Sequence, residues 1–370
     1  MTTTHGRAAH GPDAQTDARR HKTMMQTNSF RSRVRKLHPG CFALVMATGI
    51  VSVDVNQHGM PALAHALFGL NLAAFALLSL LTAVRVIRAR QELLDDFTNP
   101  ARGAAFLTFV AASCVLASQC LLVVHWPGWA MALTVLGAVS WAGLLYLLLL
   151  AVITGQRKPG FRRSINGGWL VAVVSTQALA VALTLLVADG GATPALGWLF
   201  AGLCLYLVGA ALYLILITLI FYRLLFLPLA ASGFTPPYWI NMGALAITTL
   251  AGSLLVLHAP AQPPLAVLEP FVKGFTLFFW ATATWWIPLL AILELWRHGL
   301  RHVRLRYEVD DWDIVFPLGM YTVGTHALAR ALDLDLLQPV SDIGVYINLL
   351  AWLLVAAGAV RHWKRAFIRI

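Results

Sequence analysis

Charge is what this sequence has least of. Only 12% of its 370 residues are Asp, Glu, Lys or Arg, and 59% are hydrophobic. Water-soluble domains carry about 25% charged residues, so the scarcity excludes a soluble domain and points to an integral membrane protein. Cysteine is scarce too. Cys41, Cys114, Cys120 and Cys204 all sit inside apolar runs with no C-x-x-C pair. That excludes a disulfide framework and reads as buried packing residues. There is no P-loop, G-x-G-x-x-G, H-E-x-x-H or G-x-S-x-G motif, so the chain is not read as an enzyme, and no cofactor or metal is called for. The first 37 residues have no apolar core and no cleavage site, so they are not expected to act as a signal peptide. They are expected to form a disordered, basic cytoplasmic tail (1–37), with a short second tail at 362–370.

What is there is a series of long apolar runs. About 20 such residues cross a bilayer. Ten segments qualify: 39–57, 62–86, 103–125, 129–153, 167–188, 196–223, 237–258, 266–297, 313–333 and 342–361. The first and ninth are interrupted by small and polar residues. Base exceeds acid, with 27 Lys+Arg against 16 Asp+Glu. With the N-terminus placed in the cytoplasm, every Lys and Arg except Lys273 and Arg330 falls on inside segments. The positive-inside rule therefore predicts ten spans with both termini cytoplasmic. The basic excess is topology and anionic-lipid contact, and nucleic acid is not an expected partner.

Short connections such as "QHGMP" and "HWPG" make the ten spans five helical hairpins. The odd helices begin near His38, Pro100, Asn166, Pro236 and Asp311, which prompts a test for repeats. Each has a leading aromatic: Phe42, Phe106, Trp169, Trp239, Trp312. Seven residues on stand Gly49, Ser113, Thr176, Ala246 and Gly319, all small. Four residues on stand Met46, Val110, Val173, Gly243 and Phe316. One reading is ordinary membrane packing, with aromatics at the interface and small residues between helices. The sharper reading is a ring: odd helices around an axis, even helices facing lipid, and helices one and nine broken where they line a cavity. Phe316 is the only aromatic at its level and would close such an axis. Pro317 removes a backbone donor and lets the helix bend there.

The segments "HPGCFALVMATGIVS" (38–52), "NPARGAAFLTFVAASCVLA" (99–117), "PPYWINMGALAITTLAG" (236–252), "WWIPLLAILELWRHG" (285–299) and "WDIVFPLGMYT" (312–322) resemble the tellurite-resistance/C4-dicarboxylate transporter family. That family belongs to the voltage-dependent anion channel superfamily and also holds the plant guard-cell slow anion channel and fungal malate and sulfite carriers. The resemblance implies an all-α fold of ten transmembrane helices over 38–361, as five hairpins in pseudo-fivefold arrangement around a pore, assembled as a homotrimer in the inner membrane. It also implies occlusion by a Phe-Pro pair, matched here by Phe316 and Pro317, with Trp312 four residues before. The long phosphorylated regions of the plant channel have no counterpart here.

The expected pore lining is Met46, Thr48, Gly49, Val110, Ser113, Val173, Ser175, Thr176, Gly243, Ala246, Gly319 and Thr322. No Lys or Arg falls in the middle of an odd helix, so hydroxyls and backbone dipoles would have to carry an anion. Asp54 and Glu294 are rare acids in apolar runs, functional or reaching headgroup water. His326 could be proton-linked or a packing residue. His298 and His302 have metal-pair spacing but read as unligated interfacial histidines. The expected cargo is a small inorganic or dicarboxylate anion, such as malate or succinate. Sulfite or tellurium oxyanion efflux remains an alternative, as does a non-transporting sensor or scaffold.

Overall fold

A computed structural model describes residues 35, 37–156, 158–190, 195–258 and 262–368. The expected tail over 1–37 lies almost wholly outside them. Its long helices are α1 Ala43–Gln57, α2 Pro61–Arg88, α3 Thr108–Leu122, α4 Pro127–Thr154, α5 Val171–Ala188, α6 Ala195–Phe226, α7 Ile240–His258, α8 Glu269–Leu295, α9 Trp312–Leu332 and α10 Gln338–Ile368. No strand occurs among the described residues.

Nine helices, some counted with a leading 3-10 turn, are long and apolar enough to cross a membrane among the described residues. The long helix outside that set is α9, where Asp313, His326, Arg330, glycines and threonines dilute the apolar content. The α10 helix continues past 361, so the expected short tail is helical as far as Ile368.

Two kinds of helix alternate. In an 18-residue apolar stretch of each span, 78–94% of the residues are buried for α1, α3, α5 and α7, and only 11–39% for α2, α4, α6, α8 and α10. Residues of the second kind expose Leu, Ile, Phe and Trp in bulk. Such a face is tolerated against lipid, where apolar exposure costs nothing. The exposed helices are also the longer ones: 28 residues in α2 rise about 42 Å, more than the roughly 30 Å hydrocarbon core.

Each buried helix is led in by a 3-10 turn: Pro39–Phe42, Gly103–Leu107, Gly167–Leu170, Pro236–Trp239 and Val309–Asp311. The leading aromatic sits in or just after that turn. α1 packs on α3 and α9, α5 on α3 and α7, and α7 on α9. The contacts among the five thus return to where they start. Each exposed helix lies against the buried helix before it and the one after it, α10 doing so with α9 and α1.

Two expectations change. α1 and α9 are continuous helices, not broken in mid-span; the irregular backbone is the 3-10 turn at their start. Neighbouring helices supply the packing that offsets the poor propensity of glycine and threonine. Cys41, Cys114 and Cys120 are buried, but Cys204 is exposed on α6, on the apolar outer face.

Candidate functional site

The five buried helices are held by contacts at one end and at mid-height. At the end carrying the basic loops, here the basic end, the leading aromatics are pinned locally. Phe42 meets Phe109 edge-on at 5.1 Å. The indole N–H groups of Trp169, Trp239 and Trp312 donate to Ser164 O (2.8 Å), Glu294 Oε1 (3.1 Å) and the Tyr307 hydroxyl (3.1 Å). His38 Nδ1 lies 3.3 Å from Asp310 Oδ1, tying the start of α1 to that of α9. The turn before α9 closes as a capping box between Glu308 and Asp311. Burial pushes the Asp311 carboxyl from 3.8 up to about 6.

At mid-height a second set of pins joins exposed helices to buried ones. Trp141 of α4 donates to Thr176 of α5 (2.8 Å), Trp280 of α8 to Thr325 of α9 (2.9 Å), and Trp352 of α10 to Thr48 of α1 (3.1 Å). Each runs from an exposed helix to the next buried one.

Between the C-terminal halves of the five buried helices lies a cavity of about 410 Å³. Every one of them contributes: Ile50, Val53 and Gln57 of α1; Cys114, Ser118 and Leu121 of α3; Ala178, Val181 and Leu185 of α5; Ile247, Leu250 and Leu254 of α7; Met320, Val323 and Ala327 of α9. The spacing of three and four is that of one helix face. The mouth, at the end far from the basic loops, is polar, with His125, Asp189, His258, His326 and Arg330 on its wall.

None of the twelve expected lining residues is on the wall of this cavity. The small residues Gly49, Ser113, Ala246 and Gly319 stand one residue before a lining residue, about 100° around the helix. Their neighbours are other helices. A Cβ on Gly49 would stand 2.5 Å from Val115 Cγ1 and 3.0 Å from Asn71 of α2; one on Gly319, 2.7 Å from Asn348 of α10 and from Ile50. Glycine is needed there for close helix approach. Thr48 and Thr176 accept the indole N–H bonds above. The hydroxyls of Ser113, Ser175, Thr176 and Thr322 donate to carbonyls of their own helices, Phe109, Ala172, Ala172 and Leu318. Those protons are already used.

The residues four beyond the leading aromatic fare differently. By helical spacing, one turn inward along the cavity stripe come Met46, Val110, Val174, Gly243 and Phe316, of which the sequence reading named four and had Val173 in place of Val174. Met46, Val110, Val174 and Phe316 are all buried, Phe316 being 1% exposed. Gly243 lets α7 approach α9, since a Cβ there would stand 2.7 Å from Pro317 Cγ. One further step on α9 reaches Asp313, 9% exposed, a carboxylate that sequence reasoning passed over.

Asp54 is fully buried and accepts from Asn348 Nδ2 at 2.8 Å. His58 Nδ1 lies 3.3 Å from its Oδ1, and His58 Nε2 lies 3.7 Å from Asp342 and 3.3 Å from the Ser341 hydroxyl. The His58 and His326 rings meet edge-on at 5.9 Å, and Gln338 Nε2 donates to His326 Nδ1 at 3.2 Å. A titratable cluster thus joins α1, α9 and α10 beside the cavity mouth. Glu294 belongs instead to the basic end, with Trp239, Arg297 (3.8 Å) and His298 (3.3 Å). His298 Nδ1 also bonds Val303 O at 2.7 Å, so its ring is committed to local structure.

Sequence reasoning placed His326 and missed Arg330, His258, His125 and Asp189 as mouth residues. The signal was present in part: Arg330 is four successive steps of three or four along the face from Phe316. That face becomes legible only once its phase is known.

Comparison with known proteins gives concordant likenesses. A family model described as voltage-dependent anion channel matches residues 36–360. An uncharacterized transporter of Methanocaldococcus jannaschii is 25% identical over 332 residues, covering 87% of this chain and 90% of that protein. A second from the same organism is 23% identical over 335 residues, 88% of this chain and 92% of that protein. An uncharacterized membrane protein of Mycobacterium tuberculosis is 39% identical over 151 residues, 41% of this chain and 76% of that protein.

Proposed function

The chain belongs to the voltage-dependent anion channel family, and from that premise we propose that it moves small anions, C4-dicarboxylates such as malate or succinate, along the axis enclosed by α1, α3, α5, α7 and α9. It is a multi-pass membrane protein. The ten long helices are read as ten spans in five hairpins with pseudo-fivefold symmetry, α9 being the least apolar. The closed series of contacts among the buried helices supports that reading. Residues 38–361 form the transporting domain, with both termini at the basic, cytoplasmic side of the inner membrane. A homotrimer is the expected assembly, on resemblance alone.

The observation that carries the proposal is the cavity itself. All five buried helices line it, and its stripe leads inward to Phe316. At about 410 Å³ it is in the range of about 300–1,000 Å³ common to small-molecule sites. Phe316 is the occluding residue: it stands one turn below Met320, and Met46, Val110, Val174 and Gly243 lie at its level on the other four helices. Gly243 and Pro317 hold α7 and α9 together at that level. The weakly polar wall suits passage, because an ion must also leave.

The test is anion flux into liposomes holding wild-type protein or Phe316→Ala. The expected outcome is at least a tenfold rise in malate flux. Phe→Ala in a packed core costs about 3–5 kcal/mol; here the void opens onto an existing cavity that water can fill, so the melting temperature should fall less than that figure implies. A sharply destabilised variant with flux at background would refute the plug. Cation flux without anion flux would refute the cargo.

A further inference from the structure

The mouth of the cavity combines groups that the weakly polar wall does not. Arg330, His258 and His326 converge on it from α7 and α9. Among the described residues, no carboxylate lies within salt-bridge distance of the Arg330 guanidinium. His326 Nδ1 has only the neutral Gln338 amide, and Nε2 has no hydrogen-bond partner among the described residues.

From this geometry we propose that the cavity mouth is a binding site for a small dianion, in which Arg330 is the fixed countercharge and His326 and His258 add charge by taking up protons, so that anion and proton bind together. The site rests on reading the cavity as the outer half of an anion path.

The surrounding charges set the sign. Asp189, at the end of α5, is the one acid on the cavity wall among the described residues. His125 adds another imidazole at the end of α3. Behind the wall, His58 is engaged by Asp54 and Asp342, and that cluster faces α10. Asp333 and Asp335 follow α9, and Glu269 is paired with Lys273 at 2.7 Å on α8. Empty, the mouth already carries the positive charge of Arg330, and a bound dianion would outweigh it for any proton arriving on His326 or His258. By linkage, proton uptake then tightens anion binding by the same factor. Occupancy should therefore rise as the pH on that side falls through the histidine range.

Sulfate is a suitable probe because it stays doubly charged from pH 5.5 to 8. Its binding can be followed as protection of purified full-length protein against thermal unfolding at constant ionic strength. Half-saturating sulfate should be roughly tenfold lower at pH 5.5 than at pH 8, the effect of a one-unit shift in a coupled group. His258→Gln with His326→Gln should bind at the pH 8 strength throughout. Arg330→Gln should weaken binding at both pH values while melting near the wild-type temperature without sulfate, which controls for folding, and Arg330→Lys should recover part of the binding because it keeps the positive charge. Wild-type binding that ignores pH, or an Arg330→Gln variant that binds like wild type, overturns the proposal. Absence of flux in Phe316→Ala with pH-dependent sulfate binding intact would refute the conducting path and leave this site standing.

Discussion

Gly243 shows what one hydrogen in place of a methyl group does. With Pro317 Cγ 2.7 Å from where a Cβ would be, only glycine lets α7 and α9 touch at the level of Phe316. Gly243→Val should lower stability by about 1–3 kcal/mol, as overpacking does, and Pro317→Ala should recover part of the loss. Unfolding of the single and double variants in detergent would measure both; equal losses with and without proline would show that the contact is not the cause. Asp311 is a residue-scale pH sensor. Burial foremost, and then the charges of Glu308 and Asp310, hold its carboxyl up at about 6, against the Glu308 backbone N–H and Arg297. An acid raised in the folded state keeps its proton where the unfolded chain has lost it. Its stabilising contribution is complete below 3.8 and is lost as pH climbs through about 6. Asp311→Asn keeps an accepting oxygen for the turn. Relative to wild type it should gain melting temperature between pH 4 and pH 7, and a constant difference across that range would rule out this account.

Among elements, the decisive feature is the pairing of tryptophans on exposed helices with threonines on the next buried helix. The contacts Trp141 to Thr176, Trp280 to Thr325 and Trp352 to Thr48 are interhelical hydrogen bonds in a non-aqueous setting. Such bonds average about 0.6 kcal/mol and reach about 1.7. A double-mutant cycle on Trp280→Phe and Thr325→Val should give a coupling near that average, and zero coupling would reduce the pair to simple packing. Thr48 and Thr176 were expected to face a pore. The structure turns Thr48 and Thr176 to neighbouring helices, which leaves the axis to mostly apolar side chains and the mouth to Arg330 and the histidines.

Across the whole molecule, the stripe of lining residues predicts which positions water reaches. In a chain with its four cysteines replaced, Cys at Val181, Leu254 or Met320 should react with a water-soluble thiol reagent applied from the far end. Cys at Ser113 or Thr176 should not, because those side chains face helix contacts and backbone. The reverse pattern would return the axis to the face first inferred from sequence. Reporter fusions at the two ends should both report cytoplasm; one periplasmic end would mean an odd number of spans.

Some of this was determined by sequence alone. Scarce charge and long apolar runs require a helical membrane protein, because backbone groups in lipid must pair within their own segment. The small residue seven after each leading aromatic, set against lipid-like runs such as "ALLSLLTAV", foretold which helices are buried. The Phe316 level was reached from a repeat of aromatics. The phase of each buried helix was not, and it is phase that separates Gly49 from Ile50 or Gly319 from Met320. A helix buried on all sides has apolar or small residues all round, so no periodicity in its sequence marks the face toward the axis. Only the packing of five such helices against one another fixes that rotation. Rotation in turn brings Arg330, His258 and His326, from distant parts of the chain, to one mouth.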